Sequence, residues 1–170
     1  MFPYSLSTYS ATLLLCSILL PFSSAHLEMS DPLPMRSRLD PLNTGDQVDY
    51  NLKSPLTANG SNYPCHGYQN DRPIRTTATY TAGKSYQMSV AGTVFHGGGS
   101  CQLSLSYDNG ATFKVIKSMI GGCPLAEQYD FTIPSYSPSG VALFAWTWYV
   151  ASKCNVRNWI LLLHCVSAKR

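Results

Sequence analysis

The chain has 170 residues and a formal net charge of +3, and only 12% of its residues are charged while 11 are tyrosines. This length suits one domain with a sizeable core. The basic residues form no run, so the charge gives no argument for nucleic acid as a partner. A surface that is poor in charge and rich in tyrosine suits a neutral polymer better than a polyanion.

The first 25 residues have the pattern of a secretory signal peptide. They contain no Asp, Glu, Lys or Arg, and the apolar residues 13–20 are followed by Pro21 and by small residues ending at Ala25. Such a segment is cleaved on export and is too short to span a membrane. Cleavage after Ala25 leaves a secreted domain, residues 26–170, that begins with His26. A cleavage site one or two residues away would make His26 an ordinary surface histidine.

The next part of the chain predicts loops. Residues 26–63 are rich in Pro, Asn, Asp and Ser, which favour turns over regular structure. Asn59-Gly60-Ser61 is an N-glycosylation acceptor sequence, consistent with an exposed loop of a secreted protein. We therefore expect long N-terminal loops, lying across one end of the domain, and glycosylation at Asn59.

Strand patterns follow these loops. Apolar residues alternate with polar ones, the period of a half-buried strand. The predicted strands are residues 86–94, 101–107, 113–116, 129–133, 141–149 and 159–165. Asp108-Asn109-Gly110 predicts a hairpin turn between the second and third. Residues 141–149 are apolar on both faces and predict a central buried strand. Short strands without helical periodicity predict an all-β fold, an antiparallel β-sandwich of the immunoglobulin/fibronectin-III type.

His96 begins a glycine-rich segment, residues 96–101, directly after a predicted strand. Glycines let the backbone approach a bound species closely, which favours a metal ligand on a tight loop. One alternative is the oxyanion loop of lipases and esterases, but the G-x-S-x-G elbow and α/β pattern of those enzymes are missing. The other alternative is a glycine turn in which the histidine has no function. We expect a surface role for His66 and a structural role for His164, because lone histidines seldom ligate metals.

Five cysteines remain after signal-peptide cleavage, and their positions are 65, 101, 123, 154 and 165. In an oxidising compartment four of them can form two disulfides, which leaves one cysteine unpaired. No C-x-x-C pair occurs, so a structural zinc site is not expected. The spacing alone does not select the pairing.

The ordered motifs of residues 26–149 resemble those of fungal lytic polysaccharide monooxygenases, and most of all the chitin-active auxiliary activity family eleven. The matching segments are His26 after the signal peptide and residues 62–65, 96–102, 115–118, 121–124, 131–134 and 145–148. The ordered set is specific, whereas the segment of residues 96–102 would be only moderately so by itself.

The resemblance implies a copper site formed by the amine and ring nitrogens of His26 and a ring nitrogen of His96. Imidazole and amine nitrogens suit copper by ligand type and by the Irving–Williams order. It further implies a secreted enzyme that oxidatively cleaves chitin or another β-linked glycan, using an external electron donor and oxygen or hydrogen peroxide. The site has to lie on a flat face, for which exposed loops with residues such as Tyr63 and Tyr68 are candidates that the sequence does not place. We expect a monomer without nucleic-acid or membrane partners.

The resemblance also implies disulfides Cys101–Cys123 and Cys65–Cys165, so that Cys154 is the odd cysteine. From about residue 150 the chain departs from the family pattern. The family's axial tyrosine, three residues before the last cysteine, is replaced by Leu162, and the outer-sphere glutamate is missing.

Three explanations for this departure stay open. They are a true divergence that leaves the axial position open or blocked by leucine, a gene-model error, and a shifted register that brings Trp159 or His164 near the metal. The alternative function is a noncatalytic secreted copper- or glycan-binding sandwich that retains the two histidines. A third class is a plain immunoglobulin-like adhesion module.

Overall fold

The computed structural model describes residues 27–150 and, through the backbone alone, residues 161–169. The described residues form eight strands: β1 (Leu27–Asp31), β2 (Ala78–Thr79), β3 (Ser85–Gly92), β4 (Gly99–Ser106), β5 (Lys114–Met119), β6 (Gln128–Thr132), β7 (Val141–Val150) and β8 (Leu161–Lys169). Short 3₁₀ helices lie at Gly45–Gln47 and Cys65–Asn70. The predicted signal peptide, His26 and Cys154 lie outside the described residues.

The strands form two sheets, and the predicted all-β sandwich is confirmed. One sheet has the order β1-β3-β6 and the other the order β2-β8-β7-β4-β5. The pairings are antiparallel except for the two-residue β2, which runs parallel to the end of β8. β7 is the middle strand of the larger sheet, as its apolar pattern predicts.

The core lies between the two sheets, and β7 contributes its largest side chains. Phe144, Trp146 and Trp148 share one face of β7 and are fully buried. They pack in one cluster with Leu27 and Met29 of β1. Burial of each such apolar side chain stabilises the fold by about 1.5–3 kcal/mol. The core thereby joins the start of β1 to the middle of the larger sheet.

The N-terminal loops cover the outer face of the larger sheet in addition to reaching one end of it. Leu143 and Ala145, on the outer face of β7, are buried under Cys65 of the loop region. The side-chain Nδ2 of Asn109, in the β4–β5 turn, donates to Oδ1 of Asn70 at 3.2 Å. The loops thus shield apolar residues that a two-sheet sandwich alone would expose.

Two predictions about strand positions are wrong. Leu27–Asp31, expected within a loop, is the edge strand β1, because Leu27 and Met29 enter the core while the polar Glu28 is also buried. A buried glutamate hides the alternation on which the sequence prediction depends. β3 ends at Gly92 rather than at residue 94, so His96 lies on a loop.

The β4–β5 hairpin is confirmed. Its turn is fastened by the Asp108 carboxylate, which accepts hydrogen bonds from the amide and the hydroxyl of Thr112 at 2.9 and 2.6 Å. These bonds lower the pKa of Asp108 to about 2. Within residues 27–150 and 161–169, no helix has the length and hydropathy needed to cross a membrane.

Candidate metal centre

The start of β1 lies beside the end of β3. Leu27 pairs with Gly92, the last residue of β3, in the antiparallel register of these strands. The loop that carries His96 leaves the smaller sheet directly after Gly92 and enters the larger sheet at Gly99, the first residue of β4. Strand pairing therefore brings the beginning of the described chain next to the base of the His96 loop.

The His96 loop is a tight turn in the left-handed region of backbone conformation. His96, Gly97 and Gly98 have φ values of 47°, 73° and 83°. The amide of Gly98 donates to the carbonyl of Phe95 at 2.6 Å. A left-handed conformation costs a residue with a side chain about 1–2 kcal/mol, so the surrounding structure has to hold His96 there.

Trp148 lies behind the His96 imidazole. The two ring centroids are 6.0 Å apart, with an angle of 42° between the planes. Trp148 is fully buried, and its Nε1 has no hydrogen-bond partner among the described residues. In the sheet, Trp148 is paired with Cys101 of β4 on one side and with Leu162 of β8 on the other. Position 162, where the resemblance expects an axial tyrosine, is therefore in register with the tryptophan that contacts His96.

The expected disulfide between Cys101 and Cys123 is confirmed, with Cα atoms 5.8 Å apart. It joins the start of β4 to the segment that follows β5, and the amide of Cys123 also donates to the carbonyl of Gly99 at 3.2 Å. Cys65 is disulfide-bonded as well. The side chain of Cys165, its expected partner, lies outside the described side chains.

His66 does not have the surface position expected from sequence. Its side chain is only 9% exposed, and its Nδ1 lies 3.9 Å from the carboxylate of Asp49. Burial lowers the pKa of His66, an effect that the negative charge of Asp49 partly opposes. Tyr68 donates its hydroxyl hydrogen to Asp49 at 2.8 Å, and its own pKa is raised to about 12, chiefly by burial. His66 is thus part of a buried polar cluster in the loops.

Tyr63 and Tyr68, the candidates for the face around the site, belong to loops at the other end of β4. Tyr63 precedes Pro64, whose ring contacts the backbone at Gly110 in the β4–β5 turn. That turn is at the end of β4 opposite to Gly99 and the His96 loop. Gln69, the neighbour of Tyr68, lies against the same glycine, so both tyrosines belong to the loops at that end of the sheet.

Glu28 forms ion pairs that the sequence pattern does not predict. Its carboxylate is 2% exposed and lies 3.3 Å from Nε of Arg38 and 3.4 Å from Nζ of Lys53. These ion pairs attach β1 to the N-terminal loops. In the part of the chain that the structure describes, no group of three or more His, Cys, Asp or Glu residues could hold a metal. His26 lies outside that part.

Similarity to known proteins agrees with the residue motifs. The chain is 60% identical over 127 residues to the AA11 family lytic polysaccharide monooxygenase A of Aspergillus fumigatus, a match that covers 75% of the chain and 58% of that protein. It is 34% identical over 142 residues to an AA11 family lytic polysaccharide monooxygenase of Aspergillus oryzae, covering 73% and 31%. The chain is a homologue of the AA11 lytic polysaccharide monooxygenases.

The chain spans somewhat more than half the length of the first of these curated relatives and about a third of the length of the second. No protein-family model matches it. Its fold resembles the crystal structure of a cellulose-active polysaccharide monooxygenase from M. thermophila, with a TM-score of 0.55 and 14% identity over 86% of this chain and 76% of that one. At this identity the likeness supports the β-sandwich fold alone.

Proposed function

We propose that this chain is a secreted copper-dependent polysaccharide monooxygenase that cleaves chitin oxidatively, with His26 and His96 as the copper ligands. The pairing of Leu27 with Gly92 is the observation that carries the proposal. It brings the start of the predicted mature domain to the base of the His96 loop, in a chain homologous to AA11 enzymes.

The donor set suits copper. Residues 91–107 contain no charged side chain, and Cys101 is occupied by its disulfide, so neither carboxylates nor thiolates from this segment compete for a metal. The candidate donors are therefore imidazole and amine nitrogens, which favour copper among divalent metals. Bound copper supplies one-electron chemistry, which, with an external electron donor and oxygen or hydrogen peroxide, oxidises a C–H bond beside the glycosidic linkage.

The residues around the proposed site have a positioning role. The left-handed backbone at His96 and the indole of Trp148 restrict the orientation of the imidazole. The pairing of β1 with β3 restricts the position of the mature N-terminus. A ligand set held in this way binds metal without a large loss of conformational entropy.

Secretion, the signal peptide of residues 1–25 and a single domain over residues 26–170 are part of the proposal. The Cys101–Cys123 disulfide supports an oxidising compartment. Asn59 is exposed within its acceptor sequence, which supports glycosylation there. Mass spectrometry of the secreted protein tests signal-peptide cleavage and glycosylation, since it reads the N-terminal residue and the mass of any glycan at Asn59.

A disulfide between Cys65 and Cys165 is proposed as well. The short helix Cys65–Asn70 packs against the backbone of β8, the strand that contains position 165. Peptide mapping under non-reducing conditions tests the pairing. A peptide that links Cys65 to Cys154 instead would contradict it.

The central experiment incubates the purified mature protein with copper, ascorbate and chitin and analyses the products by mass spectrometry. We expect oxidised chitin oligosaccharides, which disappear in the His96→Ala variant and when copper is removed with a chelator. Tight copper binding without any oxidised product would refute the proposed enzymatic activity and leave the alternative, a noncatalytic copper- or glycan-binding sandwich.

That alternative has one specific observation in its favour, which is the leucine at position 162. The pairing of Leu162 with Trp148 puts this position in the strand beside the tryptophan that contacts His96. If the missing axial group limits turnover, Leu162→Tyr raises the yield of oxidised products and changes the Cu(II) spectrum recorded by electron paramagnetic resonance. A changed spectrum without turnover would favour the alternative.

A further inference from the structure

The segment that crosses from β5 to β6 runs alongside the His96 loop. The amide of Gly121 donates to Oγ of Ser100 at 3.2 Å, and Cys123 is tied to β4 by its disulfide. Leu125 lies against Gly98, two residues after His96, where an added Cβ atom would be 3.1 Å from Cγ of Leu125. The crossover segment is therefore part of the same end of the sandwich as His96.

Two aliphatic side chains of this segment face solvent. Ile120 is 91% exposed and Leu125 is 55% exposed. The segment carries no charge from residue 118 to residue 126, and neither does the stretch of residues 91–107 next to it. Exposed apolar side chains beside a candidate site, in a segment without charged side chains, suit a surface that contacts a partner.

We propose that Ile120 and Leu125 form an apolar rim that contacts the polysaccharide and favours chitin over cellulose. The inference rests on the proposed function, because it takes His96 as the point where the chain of the glycan is oxidised. The partner is a neutral polymer, since residues 118–126 and 91–107 carry no charge that would bind a polyanion.

The chemistry of the rim distinguishes the two glycans. Every sugar unit of chitin carries an acetamide methyl group, whereas cellulose has a hydroxyl at that position. Aliphatic side chains gain free energy by covering a methyl group. Covering a hydroxyl without a hydrogen-bond partner is unfavourable. Isoleucine and leucine in this place therefore favour the acetylated polymer.

The backbone of the segment that carries the rim is attached to β4. Besides the disulfide, the amide of Cys123 is bonded to the carbonyl of Gly99, and the amide of Leu125 to the carbonyl of Gly122 at 2.9 Å. A backbone held in position before binding loses little conformational entropy when the polymer docks. A fixed apolar surface suits the flat face of a crystalline polymer.

The test compares binding of the full mature chain to chitin and to cellulose, using the double variant Ile120→Ser/Leu125→Ser. We expect the affinity for chitin to fall about tenfold while the weaker affinity for cellulose changes little, so that the preference is lost. Tyr136→Ser is the matched control. Tyr136 is 85% exposed and follows Ser135, which contacts Gly83 at the end of β3 opposite to the His96 loop.

Each outcome is decisive. If the double variant binds chitin as well as the wild type, or if Tyr136→Ser weakens binding equally, the rim is overturned while the proposed function stands. A wild type that neither binds nor oxidises chitin refutes both. Melting temperature and copper affinity are measured for the double variant. A lower melting temperature with unchanged chitin binding would mean that the rim is covered by another part of this chain or by a second copy.

Discussion

His66 and His96 lie in regions that are built in different ways. His66 is buried in the loops, where charged groups hold the backbone in place of strand pairing. Arg36 binds Asp71 through two hydrogen bonds of 2.6 and 2.9 Å, and its guanidinium lies 4.4 Å from the centre of the Tyr68 ring. His96 lies at an end of the sandwich whose adjoining segments, residues 91–107 and 118–126, carry no charge.

The difference shows how the structure around each histidine holds it in position. A loop without regular structure has to satisfy its polar groups through side chains, and bidentate Arg–Asp pairs with an aromatic partner do this well. Accordingly, the hydrogen bond to Asp71 raises the pKa of Arg36. The end around His96 is instead fixed by strand register, a left-handed turn and a disulfide.

The largest expected effect comes from exchanging the two histidines for alanine. His96→Ala should weaken copper binding more than about 100-fold, since even the loss of a ligand's support costs 10–100-fold. His66→Ala should leave copper binding unchanged and lower the free energy of unfolding by about 2 kcal/mol, because it leaves a cavity among buried loop residues. Calorimetric copper titration and urea unfolding measure the two quantities. Equal effects of both variants on copper affinity would contradict the separate roles of the two histidines.

The disulfide should contribute the next largest effect. Cys101 and Cys123 are separated by 22 positions, and closing a loop of this size stabilises the fold by about 3 kcal/mol. The variant Cys101→Ser/Cys123→Ser should unfold at correspondingly lower urea concentration. It should also show faster amide hydrogen exchange at Gly98 and Gly99 than the wild type. Unchanged exchange there would mean that the disulfide does not hold the His96 loop.

Glu28 joins the two regions, because it sits in β1 and binds cations of the loops. Replacing it by glutamine removes a buried charge from two ion pairs, and we expect a loss of about 2 kcal/mol in the free energy of unfolding. Lys53→Met and Arg38→Met each remove one partner and should cost less. If Glu28→Gln proves neutral in urea unfolding, the attachment of β1 to the loops depends on packing alone.

The smallest effect is the pH dependence that His66 contributes. Its pKa is lowered by burial, so the unfolded chain binds a proton at His66 more readily than the folded chain does. The stabilising contribution is complete above the ordinary histidine pKa of about 6.5 and is lost as the pH falls from there through the lower pKa of the folded state. His66→Gln should flatten the stability curve in this window. An unchanged slope would show that His66 is not buried in the neutral form.

Sequence periodicity predicted the strands of the two sheets well, for a physical reason. β4, β6 and β7 bury side chains on one face or both, and β5 packs the partly buried Ile116 and Met119 against the core, so their alternation is visible in the residues themselves. The Asp108-Asn109-Gly110 turn was equally clear, since Asn109 and Gly110 adopt the left-handed conformation that such turns need. β1 was missed because its Glu28 is buried by ion pairs with residues 10 and 25 positions away along the chain.

For the candidate site, the sequence by itself determined which groups are available: a histidine on a glycine-rich loop, a histidine after a predicted leader, and cysteines that pair. These are local properties, set by residue type and spacing. Tertiary structure decided the rest, because side-chain environment depends on contacts between distant segments. Only folding buries His66 against Asp49, moves Tyr63 to the far end of β4, and brings Leu125 against Gly98 beside His96.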